Sequence, residues 1–191
     1  MDSSFFALVF RQKYISRWAL MKNTHTEYLS SHSMECALIA HCLANINKFI
    51  FNGTADPDKV AVYALFHDCG EVISGDLPSP VKYRSKEMRS VYAEIEDAAA
   101  EKLLSSVPKE LLPVYEPLVK EAGDAQTMRF VKIADKLCAL IKCIEEVNAG
   151  NREFEQAKIS TEKALVELSC PEYDYFAVHF LPAFSRPLDQ L

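Results

Sequence analysis

Apolar positions recur at helical spacing along most of this chain. From Ser31 to about Phe51, Met34, Leu38, Ile39, Cys42, Leu43 and Ile46 follow a 3.6-residue period and predict a long amphipathic helix. Asp56-Pro57 reads as an N-cap followed by a first-turn proline, opening a helix that runs through VAVYALFHD to about Ile73. Gly75-Asp76-Leu77-Pro78-Ser79-Pro80 packs a glycine and two prolines into one stretch and predicts a loop. Residues 85–106 form a charged, solvated helix, with a shorter one near 108–120. Residues 125–149 form a second long helix, stopped by Gly150, and two more follow over about 152–169 and 172–184. Residues 3–12 make a short amphipathic segment behind Asp2, Ser3 and Ser4, all able to cap, and 16–30 lack a period and read as a connector. No segment alternates as a strand, and no repeat or linker divides the chain. The expectation is an all-α, bundle-like single domain over residues 1–191.

Composition narrows the classes of partner. Of 191 residues, 49% are hydrophobic and 25% charged, values of an ordinary globular enzyme. The net charge of -6 argues against a broad basic face for a nucleic-acid polymer, though one or two placed cations suffice for a phosphate. Six cysteines at 36, 42, 69, 138, 143 and 170 include no C-x-x-C. Most lie within apolar helical runs, so buried free thiols and a reducing cytoplasm are expected. The opening MDSSFFALVFRQK is too briefly apolar for a signal peptide or membrane span, which predicts a soluble cytoplasmic protein.

The chemistry concentrates in four residues from three apolar segments: His32, the adjacent pair His67-Asp68, and Asp135. Two imidazoles with two carboxylates suit a divalent cation such as Zn²⁺, Co²⁺, Mn²⁺, Ni²⁺ or Fe²⁺. Asp135 edges a stripe formed by Val131, Ala134, Cys138 and Ile141, where a carboxylate needs a strong partner. On a helix His67 and Asp68 diverge by about 100° and still converge on an ion between them. Glu71, one turn on, is placed to exchange a proton at such a site. His41, half a revolution from His32, faces elsewhere, and His25 and His179 read as structural or exposed.

H…HD…D in an all-helical chain resembles the HD-domain metal-dependent phosphohydrolases. Within them the chain looks like the bacterial YfbR-type 5'-deoxynucleotidases, which hydrolyse deoxyribonucleoside 5'-monophosphates to deoxynucleoside and phosphate. The resemblance rests on ISRWALMKN, HDCGEVISGDLPSPVKY and IADKLCALIKCIEEVNAGNREF, in that order and over nearly the whole length. It implies one divalent metal held by His32, His67, Asp68 and Asp135, with Co²⁺ an effective activator, and Glu71 as catalytic carboxylate. Arg17, Trp18 and the turn Asp76, Leu77, Pro78, Ser79 match substrate-binding positions, joined by His32, Asp68 and Asp135. It also implies a cytoplasmic homodimer. Ser79 stands where Thr is expected, and Cys69-Gly70 where relatives commonly carry Ala-Ser. Arg17 offers a planar fork suited to phosphate, and Trp18, the sole tryptophan, a flat wall beside the sugar that excludes a 2'-hydroxyl. Lys82 and Lys136 are candidates for added positive potential.

Other HD enzymes fit less well. A (p)ppGpp hydrolase carries an acidic pair where this chain has Glu71-Val72, and triphosphohydrolases and cyclic-nucleotide phosphodiesterases are usually larger. Dinuclear members need further histidines, and none lies between His67 and Asp135. A catalytically silent HD protein serving as nucleotide sensor or scaffold stays open at this level.

Overall fold

In the computed structural model, which describes residues 2–82, 84–168 and 170–191, helices follow one another along the chain. α1 (Phe5–Val9) runs into a 3₁₀ stretch ending at Tyr14, and a connector leads to α2 (Leu29–Phe49). Next come α3 (Pro57–Phe66), the single turns α4 (Glu71–Ser74) and α5 (Ser79–Lys82), α6 (Lys86–Leu104) and α7 (Leu112–Val119). α8 (Ala125–Asn148), α9 (Glu155–Glu167) and α10 (Pro171–His179) complete the order. Among the described residues no strand forms, only one antiparallel bridge between Ser16 and Tyr28. No described helix is long and apolar enough to cross a membrane.

Side chains set several helix starts. Asp56 accepts from the Lys59 amide (3.1 Å) ahead of Pro57, Ser85 from that of Met88 (3.1 Å), and Asp124 from that of Thr127 (2.8 Å). After α8, Gly150 takes φ 85°, a left-handed turn that suits glycine. α2 lies against α3 and α8, and Leu43, Val60, Ile133, Leu137 and Leu140 form the buried centre of that packing. A second cluster joins α1 to α6 and α7, where Phe5, Leu103 and Val119 close over Cys69. All six cysteines are free, and five of them are buried.

The connector is pinned along its length. Glu146, 1% accessible on α8, accepts from the Thr24 amide (2.9 Å), the Thr24 hydroxyl (2.7 Å) and Asn151 Nδ2 (2.7 Å), and pairs with Lys142. These bonds tie residues 22–25 to the far end of α8 and so fix where Arg17 and Trp18 stand. Burial opposes the charge of Glu146, but its hydrogen bonds from Lys142, Asn151 and Thr24 prevail and hold its pKa far below the usual range.

Several expectations need correction. The helix expected from Asp56 to Ile73 breaks after Phe66, and His67–Gly70 form tight turns before α4. The loop expected at 75–80 ends early, because Ser79 and Pro80 open α5, where a first-turn proline is tolerated. The stripe assigned to α2 is also shifted. Met34 and Leu38 are 53% and 65% accessible, while the inward face runs through Cys36, Ile39, Ala40, Leu43 and Ala44. The segments expected over 3–12, 152–169 and 172–184 each split into an α-helix and a 3₁₀ stretch.

Candidate metal and substrate site

The break after α3 shapes the site. Amides of Cys69 and Glu71 bond back three residues, to Phe66 and Asp68, at 3.0 Å each, so the backbone tightens to a 3₁₀ pitch. At that pitch residues three apart fall on one face, which sets Glu71 on the side of Asp68, while Cys69 is buried in the second core. His67 Nδ1–H donates to the Ala64 carbonyl (2.7 Å), leaving Nε2 as the lone-pair nitrogen. His32 enters from the first turns of α2, wholly buried, and Asp135 from the middle of α8 with 36% of its side chain accessible.

The four groups converge. One ligand atom from each of His32, His67, Asp68 and Asp135 lies within 4.8 Å of the others. His32 Nε2 is 3.5 Å from Asp68 Oδ2 and 3.3 Å from Asp135 Oδ1, and His67 Nε2 is 3.1 Å from Asp68 Oδ2. Ligands about 2.1 Å from one ion at a tetrahedral angle stand about 3.4 Å apart, which matches this spacing. Nε2 of both histidines is buried without a hydrogen bond, and such nitrogens in a ring of acids fit a cation. Burial disfavours an imidazolium at His32, yet Asp135 and Asp68 outweigh it and raise its pKa well above the ordinary value. The place selects positive charge.

Arg17 and Glu71 flank the cluster. Arg17 Nη1 donates to Asp68 Oδ2 (3.2 Å), and Nη2 lies 3.8 Å from Asp135 Oδ1. Burial works against the guanidinium, but Asp68, Asp135 and Glu27 keep it charged. Glu71 Oε2 is buried without a partner, and burial with the charges of Asp68 and Asp76 pushes its pKa up to about 9. That setting favours the protonated carboxyl. His67, Asp68, Glu71 and Asp135 share the wall of a cleft of about 970 Å³.

The other candidates divide. Asp76 is half-buried and raised in pKa by burial against the pull of Arg17. Gly75, at φ 76°, turns the chain into that stretch, and the Tyr92 hydroxyl donates to its carbonyl (3.2 Å). Leu77 and Pro78 are half-buried there, and the Pro78 carbonyl accepts from the Val81 amide (2.8 Å); the side chain of Ser79 lies outside the described residues. Lys82 borders the cleft and pairs with Glu96 (2.6 Å), and it is Lys132, not Lys136, that also lines it. His41 pairs with Asp58 (3.7 Å) and His25 and His179 are exposed, all apart from the cluster as expected.

Trp18 differs from the wall that was expected. Its ring packs on Phe154 (centroids 5.3 Å apart), and Nε1–H donates to Glu27 Oε2 (2.6 Å). Its φ of 59° places a bulky residue in left-handed space, at a cost on the order of 1–3 kcal/mol that surrounding contacts must offset. Glu27 escaped the sequence reading, because an acid in an aperiodic polar stretch carries no periodic or motif signal.

A family model described as 5'-deoxynucleotidase YfbR-like matches residues 4–184. A 5'-deoxynucleotidase of Erwinia tasmaniensis is 45% identical over 191 residues, covering 99% of this chain and 96% of that protein. An HD-domain phosphohydrolase from Listeria innocua shares the fold with a TM-score of 0.84 at 22% identity, over 95% of this chain and 88% of that one. The cyanophage S-2L HD phosphohydrolase DatZ, bound to dA and one catalytic Zn²⁺ ion, aligns with a TM-score of 0.55 at 16% identity, over 75% and 73%. With H…HD…D gathered at one point of an all-helical fold and similarity running end to end, the chain belongs to the YfbR-like 5'-deoxynucleotidase family.

Proposed function

We propose that this chain, as one HD-type domain over residues 1–191, is a metal-dependent 5'-deoxynucleotidase. It hydrolyses deoxyribonucleoside 5'-monophosphates to deoxynucleoside and phosphate and rejects ribonucleotides. The observation that carries this reading is the contact of the Arg17 guanidinium with Asp68 and Asp135, which sets a phosphate-binding fork against a four-ligand cluster.

His32, His67, Asp68 and Asp135 would hold one divalent cation, and Co²⁺ is among the ions that suit this donor set. Such an ion, when bound, supplies an activated water and neutralises phosphoryl charge. Arg17 grips the phosphoryl oxygens and orients the ester for in-line displacement. Glu71, protonated in its buried setting, delivers that proton to the departing 5'-oxygen. Asp76 accepts from the sugar 3'-hydroxyl, with Leu77, Pro78 and Ser79 completing the turn beneath it. Trp18 sets the limit on the 2' side by holding the connector close to the sugar.

The substrate is a mononucleotide and not a polymer, in keeping with the net charge of -6. A cytoplasmic homodimer completes the reading, supported by Phe6, Phe10 and Leu65, accessible around one apolar groove. Phosphate release is measured with paired deoxy- and ribonucleoside mono-, di- and triphosphates, with Co²⁺ and with EDTA. EDTA-sensitive release from deoxynucleoside monophosphates above all others is expected. Equal turnover of mono- and triphosphates, or no metal-dependent release, refutes it.

A further inference from the structure

Glu27 sits at the end of the connector, 8% accessible, and its carboxylate is the meeting point of three groups of the site. Trp18 Nε1–H donates to Oε2 at 2.6 Å. Oε1 stands at ion-pair distance from two buried nitrogens that have no hydrogen-bond partner, 3.4 Å from Arg17 Nε and 3.3 Å from His32 Nδ1. The backbone repeats the link, since the Arg17 amide donates to the Glu27 carbonyl at 2.9 Å. Glu27 is not among the residues lining the cleft, and it reaches the wall residues Asp68 and Asp135 only through Arg17 and His32, which pair with both.

We propose that Glu27 is a positioning residue: it selects the tautomer in which His32 offers Nε2 to the metal, and clamps Arg17 and Trp18 for a deoxynucleotide. The inference rests on the proposed function and extends it to a residue outside the metal and substrate sets. An ionised carboxylate only accepts, so the imidazole nitrogen facing it is the one carrying hydrogen. Nδ1–H toward Glu27 leaves the Nε2 lone pair facing Asp68 and Asp135. His67 reaches the same state through the Ala64 carbonyl, so both ligand imidazoles have a partner on the side away from the cluster. The same carboxylate anchors the indole of a residue in left-handed backbone space, which persists only where its surroundings hold it. Metal affinity and sugar discrimination are thereby coupled through one side chain.

Glu27→Gln tests this because an amide presents one acceptor and one donor face to three donors. With its oxygen toward Trp18, the NH₂ meets Arg17 Nε–H and drives His32 to the tautomer with hydrogen on Nε2. With its oxygen toward His32, the NH₂ meets the indole N–H. Co²⁺ alone is titrated calorimetrically into metal-free wild type, Glu27→Gln and Glu27→Asp, and the emission of the sole tryptophan is recorded for each.

Glu27→Gln is expected to weaken Co²⁺ binding by roughly 10–100-fold or to shift the emission, and to narrow the deoxy-to-ribo ratio of kcat/KM. Glu27→Asp, charged but one carbon short, falls between it and wild type. A purely structural role lowers the melting temperature of Glu27→Gln and leaves affinity, emission and ratio unchanged, and that result overturns the proposal. If Glu27→Gln does not fold, wild-type Co²⁺ affinity and emission in folded Glu27→Asp overturn it equally. Neither readout needs substrate, so a wild-type protein that releases no phosphate defeats the proposed function alone.

Discussion

Glu71→Gln removes one proton and almost nothing else, so it isolates the acid step. At a pKa of about 9, roughly 99% of Glu71 is protonated at pH 7, against roughly 0.3% at the ordinary value of 4.5. Burial beside Asp68 and Asp76 thus shifts Glu71 strongly toward the acid form. A divalent cation nearby favours the carboxylate, so in the metal-loaded enzyme the value moves downward from 9. The sign follows: a general acid works while protonated, so kcat holds below that pKa and falls as pH rises through it. In Glu71→Gln the amide keeps its volume and has no proton to deliver. Its kcat should fall by roughly 10²–10⁴-fold, the usual scale for general acid catalysis, and the alkaline limb should vanish. Phosphate release from a deoxynucleoside monophosphate, followed from about pH 6 to 10 with metal saturating, reads both effects. Retention of the limb in Glu71→Gln, or a kcat near wild type, refutes the assignment; loss of the metal would make Glu71 a ligand.

His67→Ala and Asp135→Ala should each lose most of their bound metal, because each removes a donor and leaves the remaining groups unpaired; elemental analysis showing unchanged occupancy in Asp135→Ala counts against the cluster. Arg17→Ala should weaken phosphate binding by about 1.5–3 kcal/mol, the range for a hydrogen bond to a charged group. The same change withdraws a cation from Asp68 and Asp135, so metal affinity should rise while KM worsens, and titration showing both unchanged removes Arg17 from the site. Gly70 has φ -63° and nothing within 4 Å of an added Cβ, so Gly70→Ala should raise stability by about 0.4–1 kcal/mol in urea denaturation, with kcat retained.

The sequence showed the helices that carry their own signals. Asp56-Pro57 capped α3 as read, Gly150 ended α8 as read, and the stripe of Val131, Ala134, Cys138 and Ile141 is buried with Asp135 at its edge. The convergence of His32, His67, Asp68 and Asp135 was legible for the same reason, since polar donors against apolar stripes demand a partner. Glu146 was not, because an i,i+4 Lys–Glu pair has the spacing of an exposed helical ion pair and only tertiary contact reveals this one buried under the connector. The inward face of α2 was read in part: Ile39, Leu43 and Ile46 are buried as expected, but Met34 and Leu38 lie on the surface, which hydrophobic spacing alone does not distinguish from the core.

The break at 67–70 was the least visible feature and the most consequential. LFHDCGEVI keeps helical spacing and contains no proline, and its one glycine adopts an ordinary helical φ of -63°, so nothing local stops the helix. What stops it is competition between two cores. Cys69 is buried in the cluster of Phe5, Leu103 and Val119 and Phe66 packs against both clusters, while His67 and Asp68 face His32 and Asp135. A continuous α-helix places consecutive residues about 100° apart and stacks Glu71 over His67, leaving Asp68 to one side. The tighter turn brings residues three apart onto one face and sets Glu71 on the side of Asp68, the carboxylate that Arg17 also holds. Burial first, and the charges of Asp68 and Asp76 next, raise the pKa of Glu71. The proton proposed to reach the leaving oxygen is therefore kept in place by a departure from helical pitch that no residue in the segment announces.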